Sequence, residues 1–226
     1  MSIKAKLKSL LATIKFHRIW NRFLAGNRWQ IAGHGNQIQI GNSWLTNTLI
    51  EVSGANNTLI VGDHCRLHGF RIVIKGESVR VEIQDRCQLF GTIRAEDSGS
   101  RIVVGAGTTM ERESYLGAFE GTSLQIGNDC MIAELVVVHT SDMHSIMDAE
   151  TGVRKNPAAD ITLGFHVWLC RGATVLKGCQ IGAHSIVGTC AIVSSTIPPH
   201  SLAIGAPAKV IRSQVDWSRE RIAAAK

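Results

Sequence analysis

Large rings are scarce in this 226-residue sequence, which has one Tyr and six Phe against 22 glycines. That balance speaks against a helix bundle closed around aromatic side chains and for many short strands joined by tight turns. No stretch approaches 18 consecutive apolar residues, so no spanning helix is expected. A continuous apolar core followed by a small-residue cleavage site is also missing, so no signal peptide is expected. The six cysteines, at 65, 87, 130, 170, 179 and 190, include no CxxC pair. Several take one recurrent position in the repeat and so read as small core residues rather than a disulfide set, which fits a reducing cytoplasm.

Acidic residues are absent from positions 1–30, where Lys4, Lys6, Lys8, Lys15, Arg18, Arg22 and Arg28 supply seven positive charges. The formal net charge is +6, so the remainder is close to neutral. The basic character belongs to an arm, and nucleic-acid binding is not expected of the body. Ile3, Leu7, Leu10, Leu11 and Ile14 recur at helical spacing between the lysines, which predicts an amphipathic helical arm over 1–29. Two uses stay open for it: capping the body or another subunit, or peripheral attachment of residues 1–25 to an acidic membrane surface.

What is abundant is a repeat. From 163 the chain divides every six residues into LGFHVW, LCRGAT, VLKGCQ, IGAHSI, VGTCAI and VSSTIP. Each hexad opens on an aliphatic residue: Leu163, Leu169, Val175, Ile181, Val187 and Val193. The fifth positions, Val167, Ala173, Cys179, Ser185, Ala191 and Ile197, are mostly small. Upstream, IGNSW, VGDHC, IQDRC, VGAGT and IGNDC recur every 21 or 22 residues, as if each coil carried three hexads plus a few corner residues. One large and one small inward residue per six describes a triangular solenoid of short strands, stable only as a stack of many coils. Cys65, Cys87 and Cys130 then take equivalent inward positions.

These hexads, with the ending IPPHSLAIGAPAKVIR, resemble the hexapeptide-repeat acyltransferases, whose fold is a left-handed parallel β-helix. The resemblance implies an all-β solenoid over 30–205, an N-terminal basic arm, and a C-terminal tail over 206–226 ending in a short helix. It also implies a homotrimer with sites at subunit interfaces.

The register breaks once. Hexads at Ile126, Ile132 and Val138 are regular, and the next clear one starts at Leu163. Residues 144–160, polar in composition, must leave the wall and return. Long excursions from regular folds commonly carry function. SDMHSI at its root, followed by NPAADITLGFHVWL, resembles the sugar and polysaccharide O-acetyltransferase branch. That resemblance implies His144 as general base and Trp168, 24 residues on, as a residue lining the acceptor site.

Acyl transfer from a thioester requires a hydroxyl to lose its proton as it attacks, and imidazole is suited to accept it. An oxyanion donor is expected among the backbone N–H groups near Arg171 or Gly172. Asp142 either fixes the imidazole tautomer or is a surface carboxylate, and His139 is either structural or a substrate contact. For acetyl-CoA, the resemblance implies Thr189, Ser194, Ser195, Lys209 and Arg212, although the two cations could equally be solvated. Cys170 and Ser195 depart from the family pattern, which favours Gly and Lys there. No metal is expected. Two other readings remain: a zinc enzyme like the γ-class carbonic anhydrases, using His139 and His144 with His166 as the third ligand on offer, and a non-catalytic binding solenoid.

Overall fold

The computed structural model describes residues 25–223. The expected helical arm falls largely on residues 1–24, outside the described region. Its last two residues, Arg28 and Trp29, belong instead to the first strand of the wall.

The chain winds through three faces in turn. On the first lie β1 (Arg28–Ile31), β4 (Leu49–Ala55), the latter parts of β6 (Arg66–Glu77) and β8 (Gln88–Glu96), β11 (Tyr115–Ala118), β14 (Val137–His139), β17 (Thr174–Val175) and β20 (Ile192–Val193). The second holds β2 (Gln37–Ile40), β5 (Thr58–Val61), β7 (Arg80–Ile83), β9 (Arg101–Val104), β12 (Ser123–Ile126), β15 (Ile161–Leu163) and β18 (Gln180–Ile181). The third holds β3 (Trp44–Thr46), the beginnings of β6 and β8, β10 (Thr109–Met110), β13 (Met131–Ile132), β16 (Trp168–Leu169), β19 (Ile186–Val187) and β21 (Ser201–Ile204). Every neighbour pair is parallel except β21 with β22 (Lys209–Ser213).

Inward residues explain why these short segments pair. All twelve first and fifth hexad positions from Leu163 to Ile197 are buried, none more than 2% exposed. The recurring aliphatic–glycine step marks where adjacent coils nearly touch. A Cβ on Gly127 would lie 2.4 Å from the carbonyl oxygen of Gly164, so only hydrogen fits there.

The inward cysteines form part of a ladder with Ser43, Thr108, Ser185 and Ser201. Within it, the Cys65 N–H donates to Ser43 Oγ at 2.8 Å, and the Cys130 N–H to Thr108 Oγ1 at 3.2 Å. Ser43 and Thr108 donate onward to the carbonyls of Gly62 and Gly127, just as the Cys130 thiol meets Gly164 at 3.3 Å. Burial raises the Cys130 thiol to about 11, so it stays protonated. A hydroxyl makes the same two bonds at neighbouring rungs. Cys130→Ser should therefore cost no more than about 1 kcal/mol in urea denaturation, and a loss above twice that would break the equivalence of the rungs.

Paired residues along the first face advance by 21 to 23 positions per coil until Val137, which pairs with Thr174, 37 residues later. The following step, Thr174 to Ile192, is 18. The extra length lies between β14 and β15.

The C-terminus corrects one expectation. Residues 206–223 contain no helix: β22 folds back on β21, and the chain from Gln214 to Ala223 is irregular. The hydrogen bonds and rings that a terminal helix would have turned to solvent are committed to the wall instead. Trp217 is buried, and its indole N–H donates to the His166 carbonyl at 2.8 Å.

Candidate active site

The excursion is built from its two roots. Thr140 and Ser141 stay buried against the wall, where Thr140 Oγ1 accepts the Phe119 N–H at 3.0 Å and the Thr140 carbonyl accepts the Ala159 N–H at 3.0 Å. Between these roots the chain makes a small hairpin. Met147 bridges Arg154 antiparallel, and the Lys155 N–H donates to the Ile146 carbonyl at 2.8 Å. Asp148 closes its tip by accepting the Thr151 N–H at 2.8 Å.

One buried amide organises the hairpin. Asn156, 7% exposed, donates through Nδ2 to the His144 carbonyl at 2.8 Å and to Asp142 Oδ2 at 2.7 Å. Its Oδ1 accepts the Ile146 N–H at 2.6 Å. The His144 carbonyl and the Ile146 N–H are thus both tied to Asn156, while the His144 ring is exposed and makes no polar contact among the described residues.

Asp142 does not orient that ring. Its carboxylate is bound by Lys177 and Asn156, and those bonds hold it below the usual carboxylate range. The tautomer role is therefore not supported within one chain. His139 is half-buried on the outer side of β14, and desolvation pushes its imidazole down, so it is neutral at neutral pH.

A second clasp holds the hairpin to the wall. Glu120 takes a two-pronged contact from Arg154, at 2.5 and 3.0 Å, and accepts the Ser141 hydroxyl at 2.5 Å. Arg154 and then Ser141 hold the Glu120 carboxyl down at about 2. Together with Glu96, Asp97, Phe119, Met143 and Ser145, these residues line a shallow pocket of about 320 Å³ beside His144.

A depressed carboxyl stabilises the fold above its unfolded value, near 4.5, and that contribution is lost as pH falls toward 2. Protection of the Lys155 amide, taken relative to its intrinsic exchange rate at each pH, should accordingly fall across pH 4.5 to 2 in the parent, and the Glu120→Gln variant should lack that transition. Parallel acid profiles for the two proteins would remove the clasp.

Trp168 lies elsewhere. His144 stands on the corner between the first and second faces, whereas Trp168 is half-exposed on the third, 5.8 Å from the Trp217 ring. One chain does not bring them together. Arg171 and Gly172 form the next corner, where the Gly172 N–H is already donated to the Glu134 carbonyl at 2.9 Å. Gly172 therefore drops out as an oxyanion donor, while the Arg171 N–H carries no bond among the described residues.

Thr189 occupies the same corner one coil later, where the Cys190 N–H meets the Arg171 carbonyl at 2.9 Å. Ser194 and Ser195 follow β20, and Lys209 and Arg212 lie on β22. All five are exposed. Burial raises the Cys170 thiol to about 11, so it is not a nucleophile at neutral pH.

No protein-family profile matches the chain. It is 35% identical over 147 residues to the polysialic acid O-acetyltransferase of Neisseria meningitidis, covering 65% of this chain and 68% of that protein. The chain belongs to the hexapeptide-repeat acetyltransferases. Within that family it is also 32% identical over 139 residues to the polysialic acid O-acetyltransferase of Escherichia coli O1:K1, although it spans only 45% of that longer protein. The crystal structure of the polysialic acid O-acetyltransferase OatWY superposes with a TM-score of 0.82 at 30% identity, over 88% of this chain and 94% of that one.

The left-handed parallel β-helix of these acetyltransferases is the fold of this chain, and the protein is an enzyme. That answers the reading as a non-catalytic solenoid. Of the three histidines in the zinc reading, His139 and His144 join no group of three metal-binding side chains among the described residues of one chain, whereas His166 does so with His184 and Asp216.

Sequence reasoning missed Asn156, Lys177 and the Glu120–Arg154 pair. Each acts through contacts between segments 10 to 35 residues apart, and such contacts leave no short motif. The one local signal is an Asn before Pro157, a position biased toward extended backbone.

Proposed function

We propose that this acetyltransferase moves an acetyl group from acetyl-CoA to a hydroxyl of a bacterial surface glycan, a capsule or lipopolysaccharide sugar, with His144 as general base. The observation carrying this reading is the placement of His144: a free imidazole at the root of the excursion, fixed through its backbone by a buried amide. The similarity to polysialic acid O-acetyltransferases supports a polymeric glycan acceptor.

The chemistry follows from the roles. The acceptor oxygen attacks the thioester carbonyl carbon while His144 takes its proton. The tetrahedral oxyanion is met by a donor, for which the Arg171 N–H is available. The C–S bond then breaks, and the proton passes to the departing sulfur, giving free coenzyme A and an acetyl ester.

Because His144 and Trp168 occupy different parts of one solenoid, a working site pairs His144 of one subunit with Trp168 of another. That supports a homotrimer. The exposed Met143, Ile146, Met147 and Val153 of the excursion offer apolar surface for such a contact. Thr189, Ser194, Ser195, Lys209 and Arg212 would follow the pantetheine arm and phosphates of the donor. Reaction at the cytoplasmic side of the membrane fits an acetyl-CoA donor.

The test is acetyl-CoA turnover, read by thiol release, against a panel of bacterial glycans that includes polysialic acid. Glycan-dependent release with an ester product supports the reading. Release independent of every glycan, or an amide product, would sink the acceptor assignment.

A further inference from the structure

The corner between the second and third faces uses left-handed backbone in coil after coil. His64, Arg86, Asp129, His166, His184 and His200 all have φ between 53° and 60°. Asp and His tolerate that conformation better than most residues, and here it aligns them in a column. His184 stacks on His200 with ring centres 4.7 Å apart, and His166 lies one coil upstream, 5.3 Å from His184.

The tail beyond β22 runs back along this column. The Val215 N–H donates to the His200 carbonyl at 3.0 Å, Asp216 faces His184, Trp217 lies flat on His166 at 4.0 Å, and Arg219 reaches Asp129 at 2.9 Å.

His166 has an unusual set of partners. Its Nδ1 is 2.6 Å from Asp129 Oδ2, while its Nε2 is 3.0 Å from the Trp217 carbonyl oxygen and 3.7 Å from Asp216 Oδ1. Both ring nitrogens therefore face oxygens that can only accept. A neutral imidazole has a single N–H. With that proton directed to Asp129, the Nε2 lone pair confronts a carbonyl oxygen, a repulsion relieved either by a second ring proton or by a cation that both atoms bind. His184 Nδ1 is 3.1 Å from Asp216 Oδ2, and the donor atoms of His166, His184 and Asp216 all lie within 4.8 Å of one another.

We propose that His166 Nε2, His184 Nδ1 and an Asp216 carboxylate oxygen bind a zinc-class divalent cation, with the Trp217 carbonyl oxygen as a fourth donor. The cage has the right size. Nitrogen and oxygen ligands about 2.0–2.1 Å from a tetrahedral zinc lie roughly 3.3–3.4 Å from each other. Here Asp216 Oδ1 is 3.2 Å from His184 Nδ1 and 3.7 Å from His166 Nε2, and the Trp217 carbonyl oxygen is 3.0 Å from His166 Nε2. The three side-chain donors lie within 4.8 Å of one another, so a bound ion would draw them slightly together. Asp129 on the far nitrogen of His166 is the outer carboxylate that metal-bound histidines generally carry, fixing the tautomer that leaves Nε2 free to bind.

Two ligands come from the wall and two from the tail, so the ion fastens the tail to the solenoid. It also fixes Trp217, whose ring lies 5.8 Å from that of Trp168. Within one chain the site is separate from His144; in the proposed pairing of subunits it lies behind Trp168, and no step of acetyl transfer passes through it. It departs from the absence of metal expected on sequence grounds, because its ligands are drawn from two coils and the tail without a local motif.

The test uses the full chain without an affinity tag, stripped with EDTA and titrated with Zn²⁺. About one ion per chain should remain after gel filtration, and Co²⁺ in its place should give the visible absorption of a tetrahedral site. His184→Ala and Asp216→Asn should each weaken binding by about tenfold or more. Asp216 is on the exposed tail, so its variant cannot fail for want of a folded wall. His200→Ala, which removes a stacking ring and its 3.3 Å contact with the Val215 carbonyl but no ligand atom, should keep the ion. Zinc should slow tryptic cleavage after Arg219 in the parent and not in Asp216→Asn. Equal zinc affinity in the parent and Asp216→Asn, or no retained ion, would overturn the proposal. So would a tail protected without metal and released as pH rises, which would assign the contact to a doubly protonated His166.

Discussion

His144→Ala should lower kcat for glycan acetylation by roughly 10²- to 10⁴-fold, the usual contribution of a positioned general base. Stability should hardly change, because the ring is exposed and bonds to no other described residue; a shift within about 0.5 kcal/mol is expected for such a surface position. The split between the two readouts is the informative part. The backbone around residue 144 is held by Asn156, and the wall beneath it by coil-to-coil hydrogen bonds, so neither depends on the imidazole. The KM for acetyl-CoA should stay within a few-fold of the parent, since the proposed donor contacts lie on the C-terminal coils and β22. Turnover within threefold of the parent, in a variant of unchanged melting temperature, would remove His144 from the reaction.

How much of this was legible in the sequence depends on the range over which each residue acts. The wall was legible because its rule is local: an aliphatic residue every six positions and a small one four later, such as Leu169 with Ala173, both wholly buried. The inward stacking of Cys65, Cys87 and Cys130 followed from the same arithmetic. The excursion was legible as a break in that rule.

The tail was not. Helical composition in VDWSRERIAAAK suggested a helix, but Trp217 and Arg219 gain more from the corner column. Arg219 binds Asp129 and the Cys130 carbonyl, 90 and 89 residues away in sequence. Within the site, His144 stood out by its motif, but the groups that hold its neighbourhood did not. Asp142 reads in sequence as a partner for a nearby histidine. In the fold, Lys177 reaches it from the next coil and takes the carboxylate.

Asn156→Ala should loosen the excursion while leaving the solenoid intact. The substitution strips the Ile146 N–H and the His144 carbonyl of their partner and takes one of two from Asp142. Each buried group left unpaired costs about 1–3 kcal/mol. The hairpin can relax toward water, so a loss of about 2–4 kcal/mol, confined to this local unit, is expected. Hydrogen exchange should report it as faster exchange at the Ile146 and Lys155 amides, with strand amides such as Leu163 unchanged. Activity should fall with it, because displacing a catalytic group by about 1 Å can cost roughly 10²-fold.

Asn156→Asp separates the two halves of the amide. The acceptor for Ile146 is kept, but an oxygen now stands where Nδ2 was, 2.7 Å from Asp142 Oδ2. Two carboxylates at that distance resist ionising together, so the new group's affinity for its proton rises. The hairpin should be loose at neutral pH and tighten as pH falls and the pair takes up a shared proton, the reverse of the acid response expected from Glu120. If exchange at Ile146 and kcat both match the parent in Asn156→Ala, the amide is a bystander, and the placement of His144 must come from contacts with a neighbouring subunit instead.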